Sequence, residues 1–236
     1  MIHEDGMNKL KFLGILQART SSTRLPGKVL KELNGKSMIE WQIQRILQSN
    51  IKQIVLATST HESDDILATL VSKMGIEVFR GPLDDVMERF LQVLKRHKPS
   101  HFVRLTGDCP LVMPEIINEM LEAFECDQFD YYTNSVKRTY PDGLDVEIVK
   151  SSALRKLNDF QLSANEREHV TLGFHTREKE FALGYHTQVS NLKDLRWTVD
   201  TQADLDFVRE VFKNFRNRED SFSYSDLLEF LEINLE

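Results

Sequence analysis

In the first half of the chain the apolar residues come in short continuous runs. Between the runs lie longer segments whose apolar positions recur at helical spacing. Phe12-Leu13-Gly14-Ile15-Leu16 opens a strand over 12–17, and 53–58, 76–79 and 101–106 read as further strands buried in a sheet. A helix is expected over roughly 37–49, introduced by Ser37, with Met38, Trp41, Ile43, Ile46 and Leu47 on its apolar face. Others are expected at 62–74, with Ser63 or Asp64 near its cap, at 84–97, and from Pro114, at an N1-like position, to about 124. Tyr131-Tyr132 continues the sheet. This alternation predicts an α/β fold: a doubly wound, mostly parallel sheet with right-handed crossovers.

The regular alternation stops after Asn134. Residues 140–150 read as an extended insertion, followed by helical segments near 151–159 and 165–177 and strands at 181–187 and 195–199. Helices at 201–213 and about 224–233 close the chain. No repeat, low-complexity stretch or linker divides the sequence, so one domain over 8–236 is expected. An irregular lobe at about 135–195 is expected to carry the acceptor site and a dimer contact. Residues 1–7 read as a flexible lead, and Met7 is an alternative start.

Composition narrows the classes of partner. The 236 residues carry a net charge of −7, which argues against general affinity for nucleic acid or anionic membranes, so any polyanion site must be a local basic pocket. No apolar stretch approaches the roughly 18 residues that cross a bilayer, and the N-terminus has no apolar core of a signal peptide. The two cysteines, Cys109 and Cys126, form no CxxC pair and suggest no disulfide framework, which fits a reducing, cytoplasmic setting. Cys109, beside Asp108 but without a clear base partner, reads as packing.

One local basic pocket stands out. The first strand empties into Arg19-Thr20-Ser21-Ser22-Thr23-Arg24-Leu25-Pro26-Gly27-Lys28, a bent loop with three cations and four hydroxyls. Guanidiniums and a lysine among hydroxyls and loop amides suit a polyphosphate, and ligands of α/β sheets bind beyond the carboxyl ends of the strands. A solvated basic loop is the alternative, and three cations directly after the first strand disfavour it. Ser22 stands where a Walker A loop needs glycine, Val29 replaces its hydroxyl residue, and no G-x-G-x-x-G occurs.

The loop resembles the opening signature of the cytidylyltransferases that make CMP-activated sugars, the CMP-Kdo and CMP-sialate synthetases, and it resembles their SpsF-type relatives more closely. Arg104-Leu105-Thr106-Gly107-Asp108-Cys109-Pro110-Leu111, the run 141–147, Arg167-Glu168-His169-Val170-Thr171 and Leu195-Arg196-Trp197-Thr198-Val199-Asp200 follow the SpsF-type pattern in order. The resemblance, which spans about residues 12–212, implies the Rossmann-like fold of nucleotide-diphospho-sugar transferases. It also implies a Mg²⁺-dependent transfer of CMP from CTP to an acidic, nonulosonic acid-like sugar with release of pyrophosphate, by a homodimer acting in surface polysaccharide synthesis.

By the same resemblance Arg19, Arg24 and Lys28 meet the triphosphate, with Ser22 and Thr23 adding hydrogen bonds. Gln17 and Ala18 present side chain or backbone to the nucleotide, and Thr58 and Ser59 lie near its base or ribose. Asp108 is a Mg²⁺ ligand and Asp200 the second carboxylate on the metal side. As residues alone, Asp108 could instead cap the following segment. Asp200 or Thr201 with Asp204 could be a helix cap. Arg104, inside a buried strand, must be paired or functional, because an unpaired buried charge is too costly; it is assigned to the nucleotide. Asp84, Asp85, Glu88 and Arg89 open a helix where the family contacts the base, or else form a solvated helical turn. Asp142 and Asp145 are candidate acceptor residues on a segment that a Pro-Asp-Gly turn would also explain. Glu168 and His169 hold the acceptor or form an interface, the alternative being a helical salt-bridge face. Two rival classes remain: a glycosyltransferase using a nucleotide sugar, disfavoured because Gly107-Asp108-Cys109-Pro110 lacks a D-x-D pair, and a non-catalytic nucleotide-binding module.

Overall fold

A computed structural model of the chain describes residues 11–124 and 128–233. The expectations for residues 1–7 and for Cys126 lie outside the described residues. A seven-stranded sheet runs in the order β5-β4-β1-β6-β8-β7-β9. Its strands are β1 (Phe12–Gln17), β4 (Ile54–Ser59), β5 (Glu77–Gly81), β6 (His101–Thr106), β7 (Tyr131–Thr133), β8 (Glu147–Lys150) and β9 (Leu183–Tyr185). β8 alone runs against the other six, pairing antiparallel with β6 on one side and β7 on the other. A small hairpin, β2 (Glu32–Leu33) with β3 (Lys36–Ser37), turns on Asn34 and Gly35, both at positive φ.

Side-chain alternation along the buried strands builds two cores. Leu16, Ile54, Leu56, Val103, Leu105 and Ile148 face one layer, which holds α1 (Met38–Leu47), α2 (Asp65–Lys73), α4 (Pro114–Ala123), α8 (Gln202–Asn214) and α9 (Tyr224–Phe230). Leu13, Ile15, Val55, Ala57, Phe102 and Val149 face the other, under α3 (Val86–His97), α5 (Ser151–Asn158) and α7 (Leu172–His175). The doubly wound, mostly parallel sheet is therefore as expected, and the helices at 37–49, 84–97, 114–124 and 201–213 fall within a few residues of their predicted bounds. Among the described residues no helix is long and apolar enough to cross a membrane.

Three expectations are corrected. Residues 195–199 form no strand: the N–H groups of Trp197 and Thr198 both bond to the Asp142 carbonyl and that of Val199 to the Asp108 carbonyl, so loops take the donors a ladder would use. The helix expected over 165–177 breaks into α6 (Ala164–Glu168) and α7, with His169 at the C-cap of α6. The helix at 62–74 begins as a 3-10 turn, Glu62–Asp64, because the Asp64 carboxylate is held by Thr20 and Ser59. The 135–195 region joins the same sheet, with β8 inserted between β6 and β7 and β9 at its edge.

Candidate active site

The loop after β1 is shaped from within and anchored from below. Gly27, at φ 67°, donates its N–H to the Thr20 carbonyl at 2.9 Å and closes the bend. The Thr20 N–H and hydroxyl each donate to Asp64 Oδ1 at 2.7 Å, and the other Asp64 oxygen accepts from Ser59. Burial works against the Asp64 charge, but the hydroxyls of Ser59 and Thr20 and the Thr20 amide hold its carboxyl below the ordinary range. Thr58 and Ser59 are fully buried beneath this anchor, so the structure does not bring them to the ligand-facing surface as expected; Ser59 acts through Asp64.

Above the anchor opens a cleft of about 380 Å³ at the carboxyl ends of β1 and β6. Gln17, Ala18, Arg19, Ser22, Arg24 and Lys28 line one part of it; Arg104, Asp108, Glu168, His169 and Asp200 line the rest. Gly107 lets the two strand ends meet, since a Cβ there would sit 2.6 Å from the Cβ of Ala18.

Lys28 organises the phosphate side. Its Nζ donates to Asp108 Oδ2 at 3.1 Å, Asp200 Oδ1 at 2.9 Å and the Val199 carbonyl at 2.8 Å, which matches the three donors of an ammonium. Asp200 also pairs with Arg24 at 2.8 Å and with Arg196. Its partial burial opposes ionisation, but Lys28, Arg196 and Arg24 keep its carboxyl below the usual range. Thr201, not Asp200, caps α8, exchanging side-chain and backbone bonds with Asp204. The Asp200 side chain is thereby left to the cleft. Asp108 likewise caps nothing, because α4 starts at Pro114 with Met113 as its N-cap.

The donor set fits a divalent cation held together with a nucleotide. Among the described residues no cluster of three or more His, Cys, Asp or Glu side chains could hold a metal unaided. Mg²⁺ is commonly held by one or two carboxylates, with phosphate and water filling its other positions. Asp108 and Asp200, brought to one ammonium from 92 residues apart in sequence (200 − 108), supply those two.

A model of the cytidylyltransferase family matches residues 13–230, the span that contains every one of these side chains. The chain belongs to the cytidylyltransferase family. It is 35% identical to the spore coat polysaccharide biosynthesis protein SpsF of Bacillus subtilis, over 97% of this chain and 96% of that protein. The solved structure of a cytidylyltransferase from Leptospira borgpetersenii superposes with a TM-score of 0.90 at 30% identity, covering 94% of both chains. A CMP:2-keto-3-deoxy-manno-octonic acid synthetase complexed with CTP shares the fold, with a TM-score of 0.66 at 18% identity over 86% of this chain and 99% of that one. The protein is thus an enzyme, a CTP-dependent nucleotidyltransferase.

Within this cytidylyltransferase the remaining expected residues divide by geometry. Arg104 reaches the cleft wall fully partnered: Glu147, opposite it in the β6–β8 register, accepts from Nη1, and Gln17 Oε1 accepts from Nε at 3.3 Å and Nη2 at 3.2 Å. Tyr131 and Thr171 donate their hydroxyls to the same Glu147 at 2.6 and 2.9 Å. Arg19 pairs with Glu168 at 3.0 Å across the cleft. Asp85 caps α3 through the Glu88 N–H and takes Arg167, so for Asp85 the structural reading describes its contacts.

Asp142 and Asp145 do not reach the cleft wall. Arg138 holds Asp145 through both oxygens, at 2.5 and 2.9 Å, and burial pushes that carboxyl upward against the pull of Arg138. Arg196 ties Asp142, at 3.1 Å, to Asp200. Arg196 bridges two loops that are far apart in sequence, a contact that no one-dimensional pattern encodes. Asp64, expected only near a helix cap, anchors the loop from below, and Arg89, expected where the family contacts the base, lines the cleft. Asp64 looks like any helix-start acid, and Arg89 lies on the buried side of α3.

Proposed function

We propose that the enzyme transfers CMP from CTP to a hydroxyl of an acidic, nonulosonic acid-like sugar, with Mg²⁺ at Asp108 and Asp200, and releases pyrophosphate for surface polysaccharide synthesis. The observation that carries this reading is the Lys28 ammonium between two carboxylates, at the mouth of a loop that also offers Arg19 and Arg24. Nucleotidyl transfer requires positioning and charge stabilisation more than covalent help from protein. The acidic acceptor is supported by 3-deoxy-manno-octulosonate cytidylyltransferase of Yersinia enterocolitica, 36% identical over 118 residues, 48% of this chain and 46% of that protein. The name of the SpsF relative supports the pathway.

In the reaction the acceptor hydroxyl oxygen attacks the α-phosphorus in line and gives its proton to solvent water, the bond to the bridging oxygen breaks, and pyrophosphate leaves with the electron pair. Bound Mg²⁺ supplies positive charge to the phosphates at Asp108 and Asp200. Lys28 and Arg24, which neutralise Asp200 in the free enzyme, turn toward the triphosphate and follow charge onto the leaving group. Arg196 keeps Asp200 in register with the Asp142 loop, where the acceptor enters. Glu168 and His169 face that acceptor from α6.

The test is pyrophosphate release from CTP and Mg²⁺ over a panel of 3-deoxy-2-keto sugar acids and neutral sugars. Release with CTP and an acid, but not with neutral sugars, is expected. Sugar transfer from UDP- or GDP-sugars, with no pyrophosphate from CTP, would overturn the reading in favour of a glycosyltransferase.

A further inference from the structure

An acidic acceptor needs a cation on its own side of the cleft, where Glu168 and the Asp142 loop supply negative charge. Five Lys and Arg side chains line the cleft: Arg19, Arg24, Lys28, Arg89 and Arg104. The first three belong to the loop after β1, which the proposed reaction gives to the triphosphate. Arg89 is 1% exposed, and its Nε and Nη2 are buried. Arg104 is left.

Arg104 is held so that one edge of its guanidinium meets a replaceable partner. Glu147 takes Nη1 with one oxygen and the hydroxyls of Tyr131 and Thr171 with the other, which fixes the plane of the fork from behind. Nε and Nη2, the parallel donors of the other edge, both point at one atom, Gln17 Oε1, at 3.3 and 3.2 Å. A bidentate edge therefore rests on a single neutral oxygen, where a carboxylate brings two charged ones in shorter, stronger bonds. Gln17 is only partly buried and lines the cleft, so its side chain can leave the edge without unpacking the core.

The edge also lies where the acceptor enters. β6, which carries Arg104, sits between β1, which feeds the phosphate loop, and β8. Thr171 follows Glu168 and His169 by two residues, so one short segment both faces the acceptor and fixes Arg104 through Glu147. In the ring form of a 2-keto sugar acid, the carboxylate is attached to the carbon that bears the attacking hydroxyl. Holding the carboxylate on a rigid fork therefore places the nucleophile. We infer that Arg104 is the acceptor-binding residue that takes the carboxylate of the sugar acid, bidentate on Nε–H and Nη2–H, in place of Gln17. This moves Arg104 from the nucleotide, where the resemblance puts it, to the acceptor, and it rests on the acidic-acceptor reading of the same cleft.

The experiment is steady-state CMP transfer from CTP to 3-deoxy-manno-octulosonate, or to the fastest-reacting acid of the same panel, and to the methyl ester of that acid. Wild type, Arg104→Lys and Gln17→Glu are compared, with a thermal melt of each. Arg104→Lys keeps a charge for Glu147 but loses the parallel donors, and Gln17→Glu fills the edge with a tethered carboxylate. Each should raise the KM of the acid about 10- to 100-fold, the worth of hydrogen bonds to a charged group. The KM of the ester should stay within a few-fold, and that of CTP should move less than that of the acid. An acid-to-ester ratio as in wild type overturns the inference, and if Arg104→Lys melts too low to assay, Gln17→Glu decides alone. A KM for CTP that rises more than that of the acid also overturns it and returns Arg104 to the nucleotide. A wild type that uses no acid of the panel, or uses the ester equally well, overturns the acidic-acceptor reading itself, which separates the two failures.

Discussion

Lys28→Met is expected to lower kcat/KM for cytidylyl transfer by about 10³-fold, or ~4 kcal/mol, the loss found when one preorganised group that stabilises developing charge is removed. Lys28 Nζ satisfies two carboxylates and a carbonyl, all on segments at least 80 residues away in sequence. Deleting it leaves Asp108 and Asp200 facing each other without the cation between them, so the free protein should also melt earlier. Lys28→Arg is not expected to rescue activity, because a planar fork cannot meet three oxygens disposed around one ammonium. Steady-state rates with saturating acceptor, alongside thermal melts, check both parts. Activity within a few-fold of wild type in Lys28→Met would remove Lys28 from the reaction.

The second large effect is on stability. Glu147→Leu should cost about 3–5 kcal/mol, the penalty for breaking a buried pair and leaving one charge alone. Glu147 is the sole carboxylate partner of Arg104 among the described residues and also accepts from Tyr131 and Thr171. Burial raises the cost of its charge, but Arg104, then the Tyr131 hydroxyl, hold its carboxyl below the ordinary 4.5. A depressed folded pKa means that the stabilisation is fully present above pH 4.5 and is lost as pH falls through the folded value. Urea melts at pH 7 should therefore separate wild type from Glu147→Leu widely, and the gap should narrow in acid. A gap that stays constant down to the acid limit would show that Glu147 contributes by shape and not by charge.

These two residues show how differently fold and site are written in the chain. β1, β4 and β6 are legible because strands buried on both faces must be apolar throughout, and the turn chemistry around them is local. The hairpin at 32–37 escapes notice because two-residue strands carry no periodicity; Asn34-Gly35 was its only signal. At 195–199 Trp197 and Val199 are truly buried, but the segment's backbone bonds go to distant loops, which no local pattern encodes. In the site, Arg19, Arg24 and Lys28 can be read as a cluster because they are neighbours in sequence. Joining them to Asp108 and Asp200 needed the family resemblance, and the geometry then separated capping from cleft-facing roles at Thr201 and Asp200. The roles of Asp64 and Arg196 were out of reach because each acts through a contact that only the packed chain creates.

The most direct test of the account is a thermal-shift titration of wild type and Asp108→Ala with CTP, UTP, GTP and ATP, each with and without Mg²⁺. A ligand bound only to the native state raises the melting temperature in proportion to its occupancy and affinity. The account predicts stabilisation by CTP that requires Mg²⁺, exceeds that of the other nucleotides, and disappears in Asp108→Ala. Stabilisation by UDP- or GDP-sugars but not by CTP, or a CTP shift indifferent to both Mg²⁺ and Asp108, would contradict it.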